Sequence, residues 1–172
     1  MIVLGIDPGI ATVGFGVVET SGVNDIAHVA HGIISTEAGL RLAVRLHRIY
    51  HDASELIETF RPGAIAIEEL FFNTNQKTAV AVAHGRGCIL LAGEEHTTPM
   101  FEYTPLQVKQ AVAGYGRAEK RQVMDMVKRM LCLDRAPRPD DAADALAVAI
   151  CHAKFSGSLM GALRGGDVCS TI

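Results

Sequence analysis

The chain has 172 residues, about half of them hydrophobic and a fifth charged, with a formal net charge of −3. This composition excludes a disordered chain, a collagen and a coiled coil, and the length suits one domain burying roughly 70% of its unfolded surface. No run of about 18 uncharged apolar residues is present to cross a membrane.

In chain order, Ile2–Asp7 is an apolar run stopped by Pro8-Gly9 and reads as a buried strand. Thr12–Glu19, β-branched and glycine-containing, is a second strand. Thr20–Asp25 is turn-like, and Ile26–Ser35 is a third strand, making an antiparallel meander. A helix over about residues 40–60 carries Leu42, Leu46, Ile49, Ala53, Leu56, Ile57 and Phe60 as one apolar stripe. Arg61-Pro62-Gly63 ends it. Ala64–Ile67 is a short strand running into Glu68-Glu69. The helix over 78–94 is apolar nearly all round, which predicts burial against several neighbours or against another subunit.

Met100–Tyr103 is a fifth strand, and Pro105 opens a short helix ending near Gly114. Ala118–Leu131 is amphipathic, with Val123, Met126, Val127, Met130 and Leu131 inward. Asp140, the expected N-cap, begins a last helix to about Phe155. Residues 156–172 read as a flexible tail to a single domain over 1–155. A right-handed crossover lays the fourth strand parallel to the first, giving a five-stranded mixed sheet with helices on both faces.

Residues 105–138 hold eight basic and three acidic side chains on an otherwise acidic chain. Such a segment is either a phosphate-binding surface or a solvated helix face. The cysteines, Cys88, Cys132, Cys151 and Cys169, have no C-x-x-C spacing and read as free, mostly buried thiols. The opening residues lack a basic export segment, so the expected location is cytoplasmic. His47 and His51 share a helix face at i, i+4, and a solvated face is expected there.

The carboxylates fall where elements end. Asp7 closes the first strand and Glu68 or Glu69 the fourth. Parallel neighbours project these groups from the carboxyl edge of the sheet, where open α/β sheets bind ligands. Asp141 and Asp144 share one face of the last helix near its N-terminus. Each has an ordinary alternative: a turn opener at Asp7, first-turn acids at the helix start. Together they would repel strongly unless cations sit between them. An all-oxygen set suits Mg²⁺. Two such ions about 3.5–4 Å apart would catalyse phosphate-ester hydrolysis.

The motifs Gly5-Ile6-Asp7-Pro8-Gly9, Ala66-Ile67-Glu68, Gln107-Val108-Lys109-Gln110, Gly114, Ala118-Glu119-Lys120 and Asp141-Ala142-Ala143-Asp144-Ala145-Leu146-Ala147 occur in one order over residues 1–153. In this the chain resembles the RuvC family of crossover junction endodeoxyribonucleases. The resemblance implies a ribonuclease H-like fold. It implies a homodimer that resolves four-way (Holliday) DNA junctions by paired, metal-dependent nicks, leaving 5′-phosphate and 3′-hydroxyl ends. It assigns Asp7, Glu68, Asp141 and Asp144 to Mg²⁺, with Mn²⁺ a substitute and two ions per site. It selects Glu68 over Glu69 and makes Lys109 and Lys120 DNA-facing catalytic lysines. Phe71 would stack on junction bases, and Arg121 and Arg86 join the expected DNA contacts, Arg86 with dimer bridging as the alternative. RuvA and RuvB are the implied partners. Rival readings are an RNA-directed relative, an actin-like ATPase fragment sharing the Gly-Ile-Asp-x-Gly strand, and a metal-free binding module.

Overall fold

A run of Ile, Val and Leu buried on both sides places a strand at the middle of a sheet, not at its edge. β1 (Ile2–Asp7), buried from Val3 to Ile6, occupies that position. The structure, a computed structural model, describes the backbone of residues 1–70 and 76–164 and the side chains of 1–70 and 79–156. β2 (Thr12–Gly22) pairs antiparallel with β1, and β3 (Asp25–Ser35) antiparallel with β2. β4 (Ala64–Glu68) lies parallel to β1 on its other side, and β5 (Met100–Tyr103) parallel to β4, giving the order β3-β2-β1-β4-β5. The expected meander and crossover are both present.

The two faces of the sheet are covered by different helices. α1 (Leu42–Phe60) and α2 (Gln76–Glu95) cover one face, over Leu4, Ile6, Val17, Ile65 and Ile67. α3 (Pro105–Ala113), α4 (Lys120–Met130) and α5 (Asp140–Arg164) cover the other, over Val3, Val18 and Ala66. Ile49, Ala53 and Ile57 are the buried stripe of α1. Leu42, in its first turn, is exposed rather than inward. On α4, Val123 and Val127 are buried as expected, and Met126 and Met130 pack at the margin of the core.

α5 lies unusually close to the sheet. A Cβ on Gly5 would stand 2.2 Å from the Ala145 carbonyl oxygen, one on Gly14 2.0 Å from that of Asp141, and one on Gly16 2.6 Å from the Leu146 nitrogen. β1 and β2 thus offer a floor of bare backbone. The helix meets it with Ala142, Ala145 and Ala149, all buried. Small residues on both sides bring backbone against backbone and fix the helix start relative to Asp7.

α5 also runs nine residues beyond the expected end at Phe155, to Arg164. Residues 156–164 of the expected tail are therefore helical, and 165–172 lie outside the described residues.

Candidate active site

Asp7 and Glu68 arrive together because β1 and β4 run parallel in register. Ile6 faces Ile67, so the next residues are neighbours at the carboxyl edge. The loop leaving β1 is tied down from the opposite face. Thr36 donates its hydroxyl to the Ile10 carbonyl at 2.5 Å. Arg45 of α1 donates Nε to the Thr36 hydroxyl at 2.8 Å and Nη2 to the same carbonyl at 3.0 Å. A charged donor on a turn carbonyl stiffens the exit from Asp7. Nothing local in the sequence marks Arg45, whose partners lie nine and 35 residues away.

α5 brings Asp141 and Asp144 to this edge, and α3 and α4 bring Lys109 and Lys120. Pro105 and the Thr104–Gln107 capping box start α3, and Gly114 ends it in a left-handed conformation at φ 86°. Burial, then the charges of Glu68, Asp144 and Asp141, push the Asp7 carboxyl up to about 8, with Lys120 opposing them. Burial and Asp144 raise Glu68 as well, against Lys109 and Lys120. Asp7 thus feels Glu68, Asp141, Asp144 and Lys120, and Glu68 feels Asp144, Lys109 and Lys120.

Lys120 is the cation already seated there. Its Nζ lies 2.8 Å from Asp144 Oδ2 and 3.9 Å from Asp140 Oδ2. Burial pulls its ammonium down, but the hydrogen bond to Asp144 and the charges of Asp144, Asp140 and Asp141 more than reverse this, leaving it raised. Asp140 is not the N-cap. It stands in the first turn of α5, where the Pro139 carbonyl accepts the first helical amides and Arg138 Nη1 donates to Asp140 Oδ1 at 2.9 Å.

Four carboxylates of all-oxygen character, one holding its proton to about 8, form a site short of positive charge. That donor set fits a hard divalent cation. No three of the four bring their oxygens within 4.8 Å of one another. Among the described residues the one group that close is His51, Asp52 and Glu55, on the solvent side of α1. His47 stacks on His51, with ring centroids 6.4 Å apart, and adds no ligand to it.

Other expected residues fall elsewhere. Arg86 is 16% exposed and pairs with the half-exposed Glu102 of β5 at 2.6 Å. A buried guanidinium needs such a carboxylate. Arg121 is exposed on α4. Phe71 lies outside the described residues. Cys151 is buried and its thiol is pushed up to about 12 by that burial, whereas Cys132 is exposed and Cys88 only half-buried. Behind the site, Tyr103 hydrogen-bonds His152 Nδ1 at 2.8 Å. Burial holds that imidazole low and pushes Tyr103 up to about 12, so this pair is a neutral strut.

The family model described as crossover junction endodeoxyribonuclease RuvC matches residues 3–152. The chain belongs to the RuvC family. A RuvC of Desulforamulus reducens is 51% identical over 164 residues, covering 95% of this chain and all of that one. A RuvC of Alkaliphilus metalliredigens is 56% identical over 153 residues, covering 89% and 93%. Thermus thermophilus RuvC, solved in complex with a Holliday junction substrate, superposes with a TM-score of 0.88 at 40% identity, covering 94% of this chain and 96% of that one. The yeast mitochondrial Holliday junction resolvase Ydc2 superposes at 0.68 with 15% identity, covering 95% and 83%, which speaks to the fold alone. The fold is that of the RuvC resolvases, ribonuclease H-like, as the motifs led us to expect. No helix among the described residues is long and apolar enough to cross a membrane.

Proposed function

We propose that the chain is a structure-specific endonuclease that resolves four-way DNA junctions by paired, symmetric nicks, in recombination and repair. The observation that carries this is the convergence of Asp7, Glu68, Asp141 and Asp144 at one sheet edge, where burial and the neighbouring carboxylates push Asp7 up to about 8. Family membership supplies the substrate class.

Asp7, Glu68, Asp141 and Asp144 would hold Mg²⁺ or Mn²⁺, two ions with DNA bound. Metal there supplies Lewis-acid activation of water and of the scissile phosphodiester. The chain's own part is to place and charge-balance the phosphate. Lys109, beside Glu68, and Lys120, beside Asp144, offer ammonium groups to the charge that grows on the phosphoryl oxygens in the transition state. Arg121 extends the basic face along α4 and neutralises backbone phosphate. Phe71 stacks on an unpaired base at the junction centre. Cleavage of the bond on the 3′-oxygen side leaves 5′-phosphate and 3′-hydroxyl ends.

Two cuts in opposed strands need two sites, hence a homodimer. α2 supports this: Val80 and Leu91 are 56% and 60% exposed, and a Cβ on Gly87, between them on the same helix face, would meet nothing within 4 Å among the described residues. A second copy of this face would cover it. RuvA and RuvB are the motor partners that the family resemblance implies. A cytoplasmic setting fits Cys88, Cys132 and Cys151, all unpaired among the described residues.

The test is a synthetic four-way junction against a linear duplex of the same sequence, with Mg²⁺ and with EDTA. Symmetric nicks in the junction alone, lost in EDTA and sealed by DNA ligase, are expected. Cleavage of both substrates alike, or cleavage that persists in EDTA, would overturn the proposal.

A further inference from the structure

We propose that Asp140 is a positioning residue, the second seat of Lys120, taking its ammonium from Asp144 when a divalent cation enters. The inference rests on the metal role proposed above.

The geometry supplies each step. Lys120 sits at 2.8 Å on a carboxylate that the metal would claim. An ammonium and a divalent cation on one carboxylate repel, so the ammonium must leave. Asp140 is the nearest other acceptor, at 3.9 Å, about 1 Å beyond contact distance and within reach of a flexible four-carbon stem. Its carboxylate is already oriented, because Arg138 holds Oδ1 at 2.9 Å while Oδ2 faces Lys120. Without Asp140 the displaced ammonium would go to water and lose its place beside the phosphate. Asp140 and Asp144 lie about one turn apart on α5, so the transfer needs no movement of the helix. The same contacts make Lys120 a resident counter-cation for the metal-free site, holding the acids together until it is exchanged.

The experiment measures Mn²⁺ binding to the full chain without DNA, by calorimetry, with no cleavage assay. Asp7→Asn defines the active-site component, and His51→Ala removes any binding at the exposed His51–Asp52–Glu55 group. Asp140→Asn should weaken the active-site component about fivefold, the scale of coupling within one charge network. Asp140→Glu should restore most of it. In a Lys120→Gln background Asp140→Asn should change nothing, because there is no ammonium to receive. Equal weakening in both backgrounds would mean that Asp140 acts by its field alone and would overturn the transfer. No weakening in either would overturn it too. If Asp7→Asn leaves Mn²⁺ binding intact, the metal reading itself fails first, and the proposal falls with it.

Discussion

Asp7 stores the tension of the site. Its carboxyl keeps a proton to about 8 in the folded, metal-free protein, against about 3.9 in an unfolded chain. Between those values the folded state binds more protons than the unfolded one, so stability falls as pH rises through that window. Asp7→Asn removes the penalty. In EDTA at pH 9 the variant should be more stable than the parent by at least about 1 kcal/mol, with the difference vanishing near pH 4. Thermal melts at the two pH values check this, and parallel profiles would contradict it. The same variant should bind a junction and fail to cut it. Lys109→Ala should behave differently. Its neighbour is Glu68 at the reacting end, so single-turnover cleavage should fall on the order of 10²-fold while junction affinity changes little. A loss confined to affinity would make Lys109 a phosphate anchor instead.

At the scale of the element, α5 holds the site in place. Its two carboxylates are set by backbone contact with β1 and β2, and Gly14 meets the Asp141 carbonyl most closely. Gly14→Ala should cost about 1–3 kcal/mol of stability, as overpacking does. Cleavage should fall further than the melting temperature suggests, because the helix start must lift. An unchanged cleavage rate in the folded variant would show that the acids tolerate that shift. Most of this architecture was legible in the residues. The apolar run of β1, the crossover to β4 and the acids at their ends follow from pattern and chirality. Three things were not. Gly157 and Gly161 resemble helix breakers, yet α5 continues to Arg164, and the four-residue spacing of Phe155, Leu159 and Leu163 is easily lost among those glycines. Arg86 and Glu102 sit 16 residues apart on a helix and a strand, and nothing local announces their pairing. In β3, the register shift between Val17 and Val18 inserts Val29, so that His28 and His31, three apart, hydrogen-bond at 2.7 Å. Strict alternation would have put them on opposite faces.

At the scale of the whole molecule, the two faces of the sheet divide the labour. α3, α4 and α5 carry lysines and acids on one side. α1 and α2 support the sheet from the other, where α2 presents Val80 and Leu91. The all-round apolar character of α2 thus reads as burial on one flank and an open face on the other. If the proposed homodimer forms through this face, Leu91→Asp should shift sedimentation from dimer to monomer while leaving the melting profile of the monomer cooperative. A four-way junction would then receive single nicks instead of ligatable pairs. A variant that stays dimeric would place the contact on another surface.

The bare floor under α5 bears on how inherited damage to this protein would be read. In a survey of substitutions scored by survival after DNA damage, Gly5, Gly14 and Gly16 should be lost as readily as the acids themselves. A geneticist would take them for members of the reacting centre. None has a side chain to bring to it. Their intolerance would record the absence of room, and a mild variant there should be rescued by a second change that trims α5, something no replacement of Asp7 would allow.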